Sequence, residues 1–234
     1  MPQVQPSGLD HKRVQQLLNE VKGLDDTSSR LNAISSRLVG LPYKSSPLTG
    51  SSDSPEVFTN PLKAFDCVTY VETVMALAAS SSVAEFVNAL RSIRYKGGRV
   101  AWRSRNHYMT GWVPNNTKAG WVRPIRGLKA SVRKSRTLDA VPGLPPQRVT
   151  FRLVPRNSLL ANADKIRTGD IVMFGSTRSY LDVFHVGLLI QSDKGLRVRH
   201  ASRSQGGVVD QPLEDFLKKN RMSGVIVVRP AVSK

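Results

Sequence analysis

Apolar residues in this chain change their spacing once, from a helical repeat in the N-terminal half to β-type runs in the C-terminal third. That switch points to helices packed on a sheet. Asp10 is placed to cap a helix with Val14, Leu17, Leu18 and Val21 on one face, and Ser28 to start a second, with Leu31, Ile34 and Leu38 as its stripe and Gly40 as its stop. Residues 67–79 (CVTYVETVMALAA) contain neither Gly nor Pro and are apolar enough for a largely buried helix capped by Asp66. A capping box from Ser82 to Glu85 introduces a fourth, carrying Phe86, Val87, Leu90 and Ile93.

Asp170–Phe174, Val183–Gln191, Leu196–Ala201 and Gly224–Arg229 are β-branched or alternating runs bounded by turn residues, so they read as antiparallel strands, with a helix around Pro212–Lys219 between the last two. No internal repeat or heptad array is present, and the expected fold class is α+β. Residues 1–8 read as a loose tail, 41–61 as a Ser/Pro/Thr-rich loop, and 9–234 as one domain, since 234 residues with 40% hydrophobic content can bury one substantial core.

Charge bears on partners rather than fold. Lys and Arg number 35 against 17 Asp and Glu, a net +18, which favours a polyanionic partner: nucleic acid, an anionic membrane surface or an anionic cell-wall polymer. Between Gly97 and Arg148 stand eleven basic residues, a single acid (Asp139) and all three tryptophans, Trp102, Trp112 and Trp121, a segment read as a functional surface or a long solvated insertion. No stretch approaches the ~18 consecutive apolar residues of a membrane span, and MPQVQPSGLD has no basic run followed by an apolar one. A soluble chain is expected, compatible with prior removal of a targeting segment.

Cys67 is the only cysteine, which excludes an intrachain disulfide and leaves the thiol as core filler or as chemistry. A thiol in the first turn of a helix meets unpaired N–H groups and the positive end of the helix dipole, so the position predicts a lowered pKa. A nucleophile also needs a base. His185 and His200 lie in two expected strands joined by a turn at Ser192–Gly195; a hairpin centred there sets His200 opposite Gly187 and His185 opposite Ser202. The imidazoles are then diagonal neighbours on one face, their backbones roughly 7–8 Å apart. Thiol, acid/base histidine and orienting third group together suit nucleophilic cleavage of an amide. The same three residues could bind zinc, but no paired-ligand spacing supports a metal site, and no serine-hydrolase elbow, phosphate loop, metalloprotease helix or dinucleotide fingerprint occurs. No cofactor is expected.

Five ordered blocks, Gly40-Leu-Pro-Tyr43, Phe65-Asp66-Cys67, Gly169-Asp170-Ile-Val-Met-Phe174, His185-Val-Gly-Leu188 and His200-Ala-Ser202, resemble the signatures of NlpC-type, papain-like cell-wall cysteine peptidases over roughly residues 40–210. Cys67-Val-Thr69-Tyr70-Val-Glu72 is similar to the branch described as N-acetylmuramoyl-L-alanine amidase-like. The chain departs from the common pattern in lacking Ser-Gly after the cysteine and in the long segment between helix and sheet. The resemblance implies a papain-like fold with Cys67 as nucleophile, His185 as general base and acid, His200 as the orienting residue, and Tyr43 as an oxyanion donor beside the Cys67 N–H. It implies peptidoglycan or muropeptide as substrate and the periplasm or cell envelope as location. The amide between N-acetylmuramic acid and L-alanine is the favoured bond, with a D-glutamyl bond of the stem peptide as the alternative and nucleic-acid binding as the alternative from another class.

Asp66 reads as a cap and Glu72, turned away from the thiol around the helix, as a buried structural partner. In the basic segment, Arg103, Arg105, Asn106 and His107 are the candidate substrate-binding residues, since guanidinium forks suit stem-peptide carboxylates.

Overall fold

In the computed structural model, which describes residues 6–60 and 62–231, the caps decide where the helices begin. Helix α1 (His11–Glu20) starts at Asp10, whose carboxylate accepts from the Arg13 N–H. Helix α2 (Thr27–Arg37) is capped by Asp26, two residues before the Ser28 expected from sequence. Helix α3 (Cys67–Ala78) opens on a full capping box: Asp66 accepts from the Thr69 N–H at 2.7 Å while the Thr69 hydroxyl accepts from the Asp66 N–H. Helix α4 (Val83–Arg94) follows Ser82.

Ten of the twelve residues of α3 are buried, so this helix is the axis on which the others pack. Arg30 of α2 crosses to its far end and donates to Ala78 O at 2.6 Å and Ser80 O at 2.7 Å, satisfying carbonyls that the helix terminus leaves open. Glu72, buried within α3, accepts from Arg94 Nε at 2.8 Å and from Trp112 Nε1 at 3.2 Å, tying α3 to α4 and to α5 (Met109–Lys118).

Six strands form one sheet: β1 (Val122–Pro124), β4 (Ile171–Gly175), β5 (Val183–Ile190), β6 (Arg197–Ser202), β7 (Gly207–Pro212) and β8 (Val225–Pro230), in the order β1-β8-β4-β5-β6-β7, each pairing antiparallel. Alternation along them makes two cores. Ile171, Met173, Val186, Leu188 and Ala201 face α1–α5. Val172, Phe174, Leu189, Val198 and Val225 face the opposite way, against α6 (Arg156–Ala161) and α7 (Leu213–Lys219), where Leu159 and Phe216 close the second cluster. The protein is a mixed α+β fold on an antiparallel sheet.

Strands β2 (Val132–Leu138) and β3 (Gln147–Leu153) pair only with each other, as a separate ribbon. The basic, tryptophan-bearing segment is therefore not uniformly solvated, as one reading of the sequence had it. Trp112 is 1% exposed in the first core and β1 joins the main sheet, so the ribbon is the part that stands out. The expected tail also divides. Residues 1–5 lie outside the described residues, whereas Pro6 is buried and Ser7 bridges Thr59. Within the 41–61 loop, Thr49 pairs with Val57, and residue 61 lies outside the described residues. No helix among the described residues is long and apolar enough to cross a membrane.

Candidate active site

Strand β5 builds the centre of the site, because its successive residues serve opposite faces of the sheet. Val186 turns into the core beneath α3, and His185 lies with Phe174, its partner on β4, and Phe216 of α7; its ring stacks on both, at centroid distances of 6.2 and 5.6 Å. Phe184 has no partner in the β4–β5 register, a bulge one residue before His185. Bulges bend a strand and re-aim the neighbouring side chain.

The observed β5–β6 register, Leu188 with Arg199 and Leu189 with Val198, continues to Gly187 opposite His200, as the hairpin spacing predicts. Gly187 is needed there: a Cβ at this position would stand 2.8 Å from Val198 Cγ2 and 3.0 Å from His200 Cβ. With that space open, His185 Nε2 and His200 Nδ1 meet at 2.6 Å, and the far nitrogen of His200 lies 2.8 Å from the Gln211 amide nitrogen on β7. The three side chains form one hydrogen-bonded line.

Burial governs how this line titrates. His185 is driven down to about 3, by burial first and by its His200 neighbour second. His200 falls to about 4, again through burial, opposed by a backbone bond at Ala201 and by the charge of Asp210. Both imidazoles are neutral at pH 7.

Cys67 is half-buried at the first position of α3. Helix position alone predicts a depressed thiol pKa; instead, burial pushes the thiol up to about 12, and the Asp66 carboxylate adds to the rise. Backbone N–H groups of Val186, Cys67 and Val68 oppose it without prevailing. The thiol thus meets β5 at Val186, the residue after His185. Among the described residues no hydrogen bond joins it to either imidazole. Tyr43 is nearby: burial raises its hydroxyl pKa first, and the charges of Cys67 and Asp66 next. Its loop is held by the Tyr43 N–H donating to Gly206 O at 2.8 Å and by Pro42 pairing with Gly207, where a side chain would stand 2.8 Å from Leu41 O.

A cavity of about 710 Å³ opens beside the imidazoles, lined also by Phe184, Arg203, Gln211, Phe216 and Lys219. Arg103, Arg105, Asn106 and His107 line a different cavity, of about 300 Å³, and the two share no residue. Three of those four have protein partners. Arg105 pairs with Glu56 at 3.2 Å and lies over the Trp102 ring; Asn106 donates to Ile93 O; His107 bonds Trp102 O at 2.8 Å. Arg103 is exposed.

Two residues escaped the sequence reading. Gln211 lies in a strand too polar to announce itself. Asp182, 1% exposed just before β5, accepts from the Thr110 N–H at 2.7 Å and its hydroxyl at 2.8 Å, capping α5 from 72 residues away. Adjacent turn and strand residues signalled neither role. No group of three or more potential metal ligands occurs among the described residues.

Solved structures share this architecture. A crystal structure of an N-acetylmuramoyl-L-alanine amidase from Bacteroides uniformis matches with a TM-score of 0.77 over 87% of this chain and 98% of that one, at 24% identity. A Legionella pneumophila protein matches with a TM-score of 0.79 over 94% of both chains, at 21% identity. At such identities the likeness speaks for the fold. None of the curated proteins matches the chain. The family itself is given by sequence: the model of the AmiA-like family, N-acetylmuramoyl-L-alanine amidase-like, matches residues 33–225, and the chain belongs to that family.

Proposed function

We propose that this protein is a papain-like cysteine hydrolase of the bacterial cell envelope, which cuts the amide between N-acetylmuramic acid and L-alanine in peptidoglycan or its muropeptides. The observation that carries the reading is the hydrogen-bonded line His185–His200–Gln211, open to a cavity, on the strand whose next residue meets the Cys67 thiol. Membership of the amidase-like family supports the substrate.

In this mechanism Sγ of Cys67 attacks the lactyl carbonyl carbon as His185 takes the thiol proton, so charge separates only as the bond forms. The tetrahedral oxyanion is met by the Cys67 N–H and the Tyr43 hydroxyl. Its collapse breaks the C–N bond, and His185 gives its proton to the departing L-alanine amine. Water, deprotonated by His185, then adds to the thioester carbon; the C–S bond breaks, the acyl group leaves as a carboxylic acid, and the proton held by His185 returns to the Cys67 sulfur. His200 holds the His185 ring, and Arg203 and Lys219 offer cations to the carboxylates of the bound peptide.

Digestion of defined muropeptides followed by mass analysis tests this. The expected products are the intact stem peptide and the free muramic acid sugar, with no turnover by Cys67→Ala. Stem-peptide fragments that keep the sugar would make the protein an endopeptidase instead.

A further inference from the structure

The β2–β3 ribbon sorts its side chains by face. Leu138 and Leu153 are buried and Val149 and Phe151 half-buried on one side, while Arg133, Ser135, Thr137, Arg148, Thr150 and Arg152 are exposed on the other. The register puts Arg133 directly opposite Arg152, Thr137 opposite Arg148, and Ser135 opposite Thr150, whose hydroxyls meet at 2.9 Å. Like charges facing each other across a strand pair destabilise it. Neither strand contains an acid, and no ion pair among the described residues involves these three arginines. The face is a set of unneutralised guanidinium forks spread over about 13 Å of strand between Arg148 and Arg152.

We propose that this face is a docking surface for the carboxylate-bearing polymer itself, intact peptidoglycan, separate from the cavity beside the imidazoles; the inference rests on the function proposed above. Guanidinium forks bind carboxylates in bidentate fashion, and stem peptides along a glycan strand present carboxylates repeatedly. The two strands present no aromatic side chain on this face for nucleic-acid bases, because Phe151 turns inward; of the aromatic residues around it, Trp112 is buried, Trp102 is stacked under Arg105, Trp121 donates to Ser92, and the exposed Tyr180 ring on the neighbouring loop lies under Arg178. It also offers no exposed apolar side chain for a lipid surface. The ribbon is fastened beside the site: Arg136 donates to Ser176 O and the Asp139 N–H to Tyr180 O, both at 3.4 Å, on the loop that runs into β5. A strand held on the ribbon is thereby kept close to His185.

The test is co-sedimentation of full-length Cys67→Ala protein with purified sacculi stripped of attached anionic polymers. Binding is expected to fall as salt shortens the screening length from about 10 Å at 0.1 M to about 3 Å at 1 M. The triple change Arg133→Gln, Arg148→Gln and Arg152→Gln should weaken it about tenfold, the sum of three exposed charge contacts of ordinary strength. The same three positions changed to Lys should retain salt-dependent binding, which separates lost charge from a lost fold. With Cys67 intact, the Gln variant should solubilise sacculi more slowly and cleave soluble muropeptides at the parent rate. Undiminished sacculus binding by the Gln variant would overturn the proposal. So would an equal loss on soluble muropeptides, or tighter capture by duplex DNA or anionic vesicles than by sacculi. If the parent cleaves no muropeptide, the proposed function fails, and sedimentation of the Cys67→Ala protein still reads the docking face.

Discussion

Cys67 carries the only thiol in the chain, so its ionisation can be followed on the native protein without background. With the thiol pushed up to about 12, roughly one sulfur in 10⁵ is a thiolate at pH 7, against about one in 30 for an unperturbed cysteine. A more basic thiolate is also the better nucleophile, which returns about 1.6 of the 3.5 logarithmic units lost. Alkylation by iodoacetamide at pH 7 should then run about a hundredfold slower than for free cysteine. It should rise roughly tenfold per pH unit through pH 10 without a plateau.

His185→Ala should leave that profile unchanged, because the imidazole, held near 3, carries no charge to lend the resting thiol. Mass spectrometry of timed aliquots gives the rate directly. A plateau reached by pH 7, or a rate there above that of free cysteine, would mean a resting thiolate–imidazolium pair. Burial would then not be what keeps both partners neutral until the substrate carbonyl arrives.

Arg94→Met strands the Glu72 carboxylate, whose side chain is 3% exposed, and should cost about 3–5 kcal/mol, or about 6–20 °C in Tm; adding Glu72→Leu should recover most of it. A Tm for the single variant equal to the parent's would contradict that cost. Acid should also destabilise the fold. His185 and His200 are depressed to about 3 and about 4, so the unfolded chain binds more protons below pH 6.5, and stability present above that pH is lost as pH falls toward 4. At pH 5 the loss is about 2 kcal/mol for each imidazole. Urea midpoints at pH 7 and pH 5 measure it, and a midpoint that rises on acidification would refute the sign.

The helices that the sequence announces are those whose caps and apolar stripes agree: α1, α3 and α4 begin after Asp10, Asp66 and Ser82. The strands bearing both histidines were equally legible, and so was their register, because a tight turn between alternating runs leaves little freedom. Helix α5 was not, since Gly111 and Pro114 sit inside it and its first turn is satisfied by Asp182, far away in sequence. Strands β2 and β3 were hidden by their arginines, and β7 by its Asp-Gln-Pro ending. The ionisation of Cys67 is not legible in the sequence for a physical reason: a helix terminus favours the anion, but desolvation of the sulfur outweighs it.

Proton direction links Gln211 to the chemistry proposed for Cys67. With the Gln211 amide nitrogen against His200 Nε2, that ring nitrogen must accept, and the His200 proton sits on Nδ1, where it is donated to His185 Nε2. A neutral His185 then carries its own proton on Nδ1 and has no lone pair for a thiol. Turning the amide over reverses every bond in the line: Gln211 Oε1 accepts from His200, His200 accepts from His185, and Nδ1 of His185 becomes the base. The turn breaks only a long contact, Gln205 Nε2 to Gln211 Oε1 at 3.4 Å. Gln211→Glu, a pure acceptor when ionised, should therefore keep turnover and move the acid limb of the pH profile upward, because its charge stabilises the His200 imidazolium. Gln211→Leu should lower kcat about tenfold, the worth of one hydrogen bond that fixes a tautomer. Equal losses in both variants, with an unmoved acid limb, would show that the amide supports the fold without setting the proton's direction.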